Sequence, residues 1–167
     1  MSNRVLLTYA TRTSSTTEVA EAISEVLANR GFAVDVKPVR QKPSLNGYHA
    51  VILGSAIRMG AWLPEMLEFI RTNQAQLNQI PTAIFTVHIL NTDKDDASRT
   101  AKNTYTAPVR KMITPVDEAF FAGSIDLDKL SFLDRVLTRL MVGEASPKVG
   151  DYREWEKIRD WAKQVSV

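Results

Sequence analysis

Six hydroxyl side chains, Thr11, Thr13, Ser14, Ser15, Thr16 and Thr17, crowd the junction between the apolar run ending at Tyr9 and an amphipathic stretch. One Ser or Thr is enough to cap an orphan N–H at a helix start. The excess points to a second task. A loop that opens a helix offers unpaired N–H groups and the positive end of the helix dipole, which together make an anion site. Hydroxyls add donors there without bulk. Ala10 to Thr17 holds neither glycine nor lysine, so it matches neither GxxxxGK[ST] nor GxGxxG, and ATP or NAD is disfavoured. A terminal phosphomonoester, wrapped by short side chains and amides, fits better. From the residues alone, a Thr-rich capping turn that binds nothing stays open as the alternative.

Other chemistry is sparse. The chain has no cysteine, which removes thiolate catalysis, disulfides and Cys-ligated metal sites, so redox chemistry must come from a cofactor. His49 and His88 are the only histidines and are too far apart in sequence to suggest zinc. No metal site is expected. His88 ends an apolar run and reads either as a structural histidine or as a group beside a bound ligand. No Ser-His-Asp pattern is present. A net charge of +2, without a basic stripe, argues against nucleic-acid binding.

Elements must position these residues. Val5 to Tyr9, Ala50 to Ser55, Ala83 to Val87 and Ala119 to Ile125 are continuous apolar runs, suited to strands buried on both faces. Phe32 to Val39 alternates and contains Pro38, so it reads as an edge strand. Between them lie helical stripes: Val19, Ile23, Val26, Leu27 ending at Gly31; Leu63, Met66, Leu67, Ile70; and Trp155, Ile158, Ala162, Val165 with Trp161 beside them. The alternation predicts a doubly wound α/β sheet with right-handed crossovers. Strand order 2-1-3-4-5 puts the edge-like second strand at the margin, whereas 3-2-1 would bury it. With 167 residues the chain suits one domain.

Two stretches exceed a minimal version of this fold. Asn91 to Asn103 is polar and without period, and reads as a long loop. Leu130 to Met141 is an amphipathic helix inserted before the last helix. Its apolar face suits packing on its own domain, a dimer contact or a membrane surface. Leu127 to Val142 carries too many charges to span a bilayer, and the N-terminus lacks a signal-peptide pattern, so a cytoplasmic protein is expected.

The stretch YATRTSSTTEVAEAI resembles the FMN phosphate loop of the flavodoxin family, matched at Tyr9, Thr11, Thr13, Thr16, Ala20 and Ile23. Ser14 stands where Gly or Ala is usual, Thr8 replaces an apolar residue and Arg12 sits where many flavodoxins have Gly. GSAIRMGAWLPEMLEFI from Gly54 to Ile70, then IPTAIFTVHIL, AGSI, FLDRVLTRLM and WEKIRDWA, are similar in order and spacing to the quinone-dependent protoporphyrinogen dehydrogenases, flavodoxin-like enzymes with a long insert near the last strand.

The resemblance implies one flavodoxin-like domain over 1–167, a five-stranded parallel sheet with helices on both faces, an extended loop at 88–103 and an insert at 126–150. It implies FMN, with the phosphate held by the hydroxyls of Thr11, Thr13 and Thr16 and by backbone N–H groups of Arg12, Thr13, Ser14, Ser15 and Thr16. The flavin ring would lie between Ala56, Ile57, Arg58, Met59, Gly60, Ala61 and Trp62 on one side and Val87, His88, Ile89 and Leu90 on the other. Trp62 and Tyr105 are candidates for aromatic contact, Trp62 alternatively covering the start of the second helix. Arg58 is either a solvated loop residue or a cation near the ring that favours reduced flavin and raises its potential. The implied function is an oxidoreductase passing electrons from a porphyrinogen through FMN to a quinone, with no catalytic side chain of its own. The alternative is a flavodoxin-type carrier between redox partner proteins. A flavin-free regulatory module is disfavoured, because Gly54 and Ser55 stand where its phospho-acceptor Asp would be. The implied place is the cytoplasm, either free or peripheral at the inner face of the cell membrane through 127–142.

Overall fold

In a computed structural model, residues 3–88, 96–125, 136 and 150–167 are described. Five parallel strands make the sheet: β1 (Arg4–Ala10), β2 (Ala33–Pro38), β3 (Ala50–Arg58), β5 (Thr82–Val87) and β6 (Asp117–Phe121). Their order is β2-β1-β3-β5-β6, and the short β4 (Ala61–Trp62) turns back antiparallel on β3. Counting parallel strands only, this is the expected 2-1-3-4-5, with the Pro-containing β2 at the margin. Every strand of the parallel set therefore ends at the same edge of the sheet, where ligands of such folds bind.

The apolar runs are continuous because consecutive side chains enter different cores. From β1, Val5, Leu7 and Tyr9 join Ile52, Phe85 and Phe121 beneath α1 (Ser15–Asn29) and the C-terminal helix α5 (Trp155–Gln164). Leu6 and Ala10 enter the other layer with Val51, Leu53 and Ile84, covered by α2 (Pro64–Thr72) and by α4 (Asp96–Arg110), which follows the one-turn α3 (Gln74–Leu77). The stripe residues Val19, Ile23, Leu27, Met66, Ile70, Ile158 and Ala162 are buried, as their spacing requires.

Helix α1 stops where its glycine demands. The N–H of Gly31 donates to the Ala28 carbonyl and that of Phe32 to the Leu27 carbonyl, the paired bonds of a Schellman cap, with Gly31 at φ +91°. Arg30 then ties this end to α5, donating to the carbonyls of Ala162 at 2.8 Å and Val165 at 3.1 Å.

The extended loop expected at 88–103 is corrected for its second half: α4 begins at Asp96. Thr100 and Thr104 donate their hydroxyls to the carbonyls four residues back, and Arg99 pairs with Asp96, so polar side chains serve this helix rather than a loop. Residues 89–95, including Ile89 and Leu90, lie outside the described residues, as does nearly all of the expected insert at 126–150 with its helix at 130–141. Two short strands frame that segment: β7 (Ser124–Ile125) pairs antiparallel with β8 (Gly150–Asp151), so the chain returns to where it left. Among the described residues no helix is long and apolar enough to cross a membrane.

Candidate functional site

The C-terminal ends of β1, β3, β5 and β6 gather the loop Thr11 to Ser14, the β3–β4 hairpin, His88 and Gly123 at one edge. Gly123 lies close against its neighbours. A Cβ on Gly123 would stand 3.2 Å from Val87 Cγ1 and 3.5 Å from Ser15 Oγ, leaving the end of β6 little room for a side chain.

In the loop after β1 the hydroxyls divide their work. Thr11 donates its hydroxyl to the Thr13 carbonyl and accepts the Thr13 N–H at 3.2 Å, while Thr13 Oγ1 accepts the Ser15 N–H at 3.4 Å. These bonds shape the turn. Ser15 Oγ accepts the N–H of Ser124 at 3.1 Å, fastening the loop to the chain beyond β6. Ser14, the N-cap residue of α1, makes no side-chain cap bond, and its φ of −77° needs no glycine, so the departure from Gly or Ala costs the backbone nothing. Thr16 is fully buried in the first turn of α1, and its Oγ1 has no hydrogen-bond partner. An orphaned buried hydroxyl costs about 1–3 kcal/mol. Its place beside the first N–H groups of a helix is where an anion would satisfy it.

The hairpin expected to face the flavin ring turns in two residues, Met59 and Gly60, at φ +52° and +75°. Positive φ at both positions is what a tight hairpin requires, and Met59 accepts it although it carries a Cβ. The Met59 side chain is 68% exposed. Arg58, Gly60 and Ala61 lie in the same tip, while Ala56 and Ile57 are half-buried at its base.

Trp62 is corrected as a ring contact: it is 2% exposed, and its indole N–H donates to Thr86 Oγ1 at 3.0 Å. It covers the start of α2, the other role open to it, because the polar end of a buried indole needs an internal acceptor and Thr86 supplies one. Beside it, Ser55 Oγ accepts the Leu63 N–H at 3.0 Å, fixing the entry to α2. Tyr105 is also a core residue, meeting the edge of the His88 ring at 5.2 Å between centroids.

His88 continues β5, its backbone N–H donating to the Phe121 carbonyl at 3.0 Å. Its Nδ1 is buried without a partner, and burial lowers its pKa to about 4, so the imidazole is neutral at physiological pH. The unfolded chain therefore binds a proton near pH 6.5 that the folded chain refuses until about 4, and stability falls as pH drops through that window. The apo-protein is expected to lose about 1 kcal/mol more than His88→Asn between pH 7 and 5.5 in denaturant titrations, and parallel pH profiles would contradict it.

One partnership at the site has no signal in the sequence. Both Nη atoms of Arg12 reach the carboxylate of Glu65 in the first turn of α2, Nη2 lying 2.9 Å from Oε2. Hydrogen bonding from Arg12 holds the Glu65 carboxyl below its usual range. Farther round, the largely covered guanidinium of Arg153 bonds Glu18 in the first turn of α1 at 2.6 Å and Asp151 at 2.7 Å, while lying over the ring of Trp155. Its only sequence signal was a lone Arg before the last helix. Among the described residues no group of three or more His, Asp or Glu could hold a metal ion.

The model of the flavodoxin domain matches residues 6–148. The protoporphyrinogen IX dehydrogenase (quinone) of Escherichia coli K12 is 25% identical over 98% of this chain and 94% of its own length. A protein of that name from Leishmania major is 29% identical over 99% of this chain and 76% of its own. Among solved structures, oxidised flavodoxin 1 of Bacillus cereus superposes with a TM-score of 0.57 at 13% identity, covering 95% of this chain and 94% of that one. A flavodoxin of Streptococcus pneumoniae gives 0.54 at 15% identity, covering 96% and 95%. These two likenesses concern the fold. The chain belongs to the flavodoxin family, and its cofactor is FMN.

Proposed function

We propose that the chain is an FMN-dependent oxidoreductase that takes reducing equivalents from a porphyrinogen and passes them to a quinone. The observation that carries this reading is the length of the likeness to the Escherichia coli dehydrogenase, 98% of this chain and 94% of that protein, with no large part of either left over. A family likeness confined to the phosphate loop would favour a carrier equally.

The residues fit the cofactor. The Thr16 and Thr13 hydroxyls and the first N–H groups of α1 would hold the phosphate, with Thr11 engaged in shaping the turn. The backbone of Ile57 to Ala61 would lie along the ring, and Gly60 would let the chain come close. His88 and Val87 would border the opposite side, His88 offering a neutral imidazole with an unpaired Nδ1. Arg58 would place a positive charge at the ring loop, which favours the reduced cofactor. Bound FMN supplies the two-electron acceptance that no side chain of a cysteine-free protein can offer. What the chain contributes is binding, orientation and charge.

The test is anaerobic oxidation of protoporphyrinogen by the purified flavoprotein with a menaquinone analogue, followed by porphyrin fluorescence. Turnover at several times the rate of the protein-free control is expected. A yellow, FMN-loaded protein that gives no porphyrin would favour the carrier reading, and a colourless chain that takes up no added FMN would overturn both.

A further inference from the structure

We infer that Glu65 sets the charge of the phosphate loop: its carboxylate neutralises Arg12, so that the FMN phosphate is held by uncharged hydroxyls and amides rather than by a cation. This rests on the reading that residues 11–16 hold the phosphate. Arg12 lies between Thr11 and Thr13 and carries the one formal charge in that loop. Both its Nη atoms engage the two oxygens of Glu65, the fork-to-fork geometry that commits a guanidinium to one carboxylate. The side chains are 26% and 24% exposed, so solvent screens the pair only in part.

Glu65 is well placed to stay ionised. It follows Pro64 in the first turn of α2, where the helix dipole favours a negative charge, and α2 is itself anchored by the Leu63 N–H on Ser55. A second guanidinium, that of Arg40, comes within 3.8 Å of Glu65 Oε1, but it is 69% exposed and faces water. Its effect on the loop is largely screened. A phosphate arriving at Thr13 and Thr16 therefore meets a compensated Arg12. Because Glu65 stands 53 positions from Arg12, just beyond the hairpin that faces the flavin ring, the same pair also ties the phosphate loop to the start of α2.

The test compares FMN and riboflavin affinities of the apo-protein at near-neutral pH and low salt, by quenching of flavin fluorescence. Glu65→Gln releases a positive charge and should bind FMN about five- to tenfold tighter, while Arg12→Gln leaves a negative one and should bind about tenfold weaker. The double variant restores neutrality and should return to within about twofold of the natural chain. Riboflavin, lacking the phosphate, should move little in all three, and Arg40→Gln should barely alter either ligand. Should Arg12→Gln fold poorly, salt decides: FMN affinity of Glu65→Gln should fall with ionic strength more steeply than that of the natural chain. A double variant as weak as Arg12→Gln would mean that Arg12 touches the phosphate itself, and unchanged FMN affinity in Glu65→Gln would mean that the carboxylate is irrelevant; either overturns the inference. A natural chain that takes up no FMN would instead overturn the site reading, and the inference with it.

Discussion

Gly54→Ala is expected to lower the unfolding free energy of the apo-protein by about 2–3 kcal/mol, the upper part of the range for overpacked cores. Gly54 sits in the central strand β3, with Tyr9 on one side of it and Phe85 on the other. A Cβ there would fall 2.0 Å from Phe85 Cζ and 2.4 and 2.6 Å from the two Cε atoms, far inside van der Waals contact with the ring. Phe85 cannot simply swing away, because it is fully buried against Phe121 at 6.1 Å and Trp161 at 6.4 Å between centroids. No left-handed backbone is involved, so the cost is one of packing. Alanine would otherwise be the better strand residue. For a domain of this length the melting temperature should fall by about 5–10 °C. Phe85→Leu should recover part of the loss in the Gly54→Ala background although it destabilises the natural chain, a coupling that a double-mutant cycle reads directly. Additive effects would show that the ring has somewhere else to go.

That contact illustrates what could be read from residues alone. Buried parallel strands announce themselves because both faces are covered, and Pro38 with an alternating pattern marked the edge strand. The glycine in AVILGS gave no hint that its neighbour's ring fills the missing side chain, since that depends on register. Helix α4 is hidden in the sequence for a different reason: its inward stripe includes Ala101, Lys102, Tyr105, Thr106 and Val109, and Lys102 is buried with its ammonium 5.4 Å from the Phe120 ring. Long amphipathic stems hide apolar burial from a hydropathy pattern.

At the site, the hydroxyl burst was visible but its division of labour was not. Hydroxyls in a turn look alike until it is known which of them bond the backbone, as Thr11 and Ser15 do, and which is left over, as Thr16 is. Trp62 was ambiguous because its acceptor, Thr86, is on another strand. Glu65 carries no sign of being a site residue, because an ion pair between the loop after β1 and the start of α2 exists only once the sheet has brought β1 and β3 side by side.

Thr13→Ala with Thr16→Ala is expected to weaken FMN binding by about two orders of magnitude or more, from about 1.5–3 kcal/mol for each hydroxyl bonded to a charged phosphate. Riboflavin affinity should stay within a few-fold. Thr16→Val separates a binding role from a structural one more sharply, because the two roles predict opposite signs. The hydroxyl is buried and unpartnered in the ligand-free chain, so replacing it with a methyl of similar shape should leave the apo-protein equally stable or up to about 1 kcal/mol more stable. The same change should cost FMN about tenfold or more in affinity. A group whose removal helps the empty protein and harms the loaded one is kept for the ligand, in the way that functional sites retain locally unfavourable residues. Equal FMN affinity in Thr16→Val would return the hydroxyl to the loop, and a destabilised apo-protein would show that it has a partner in the fold.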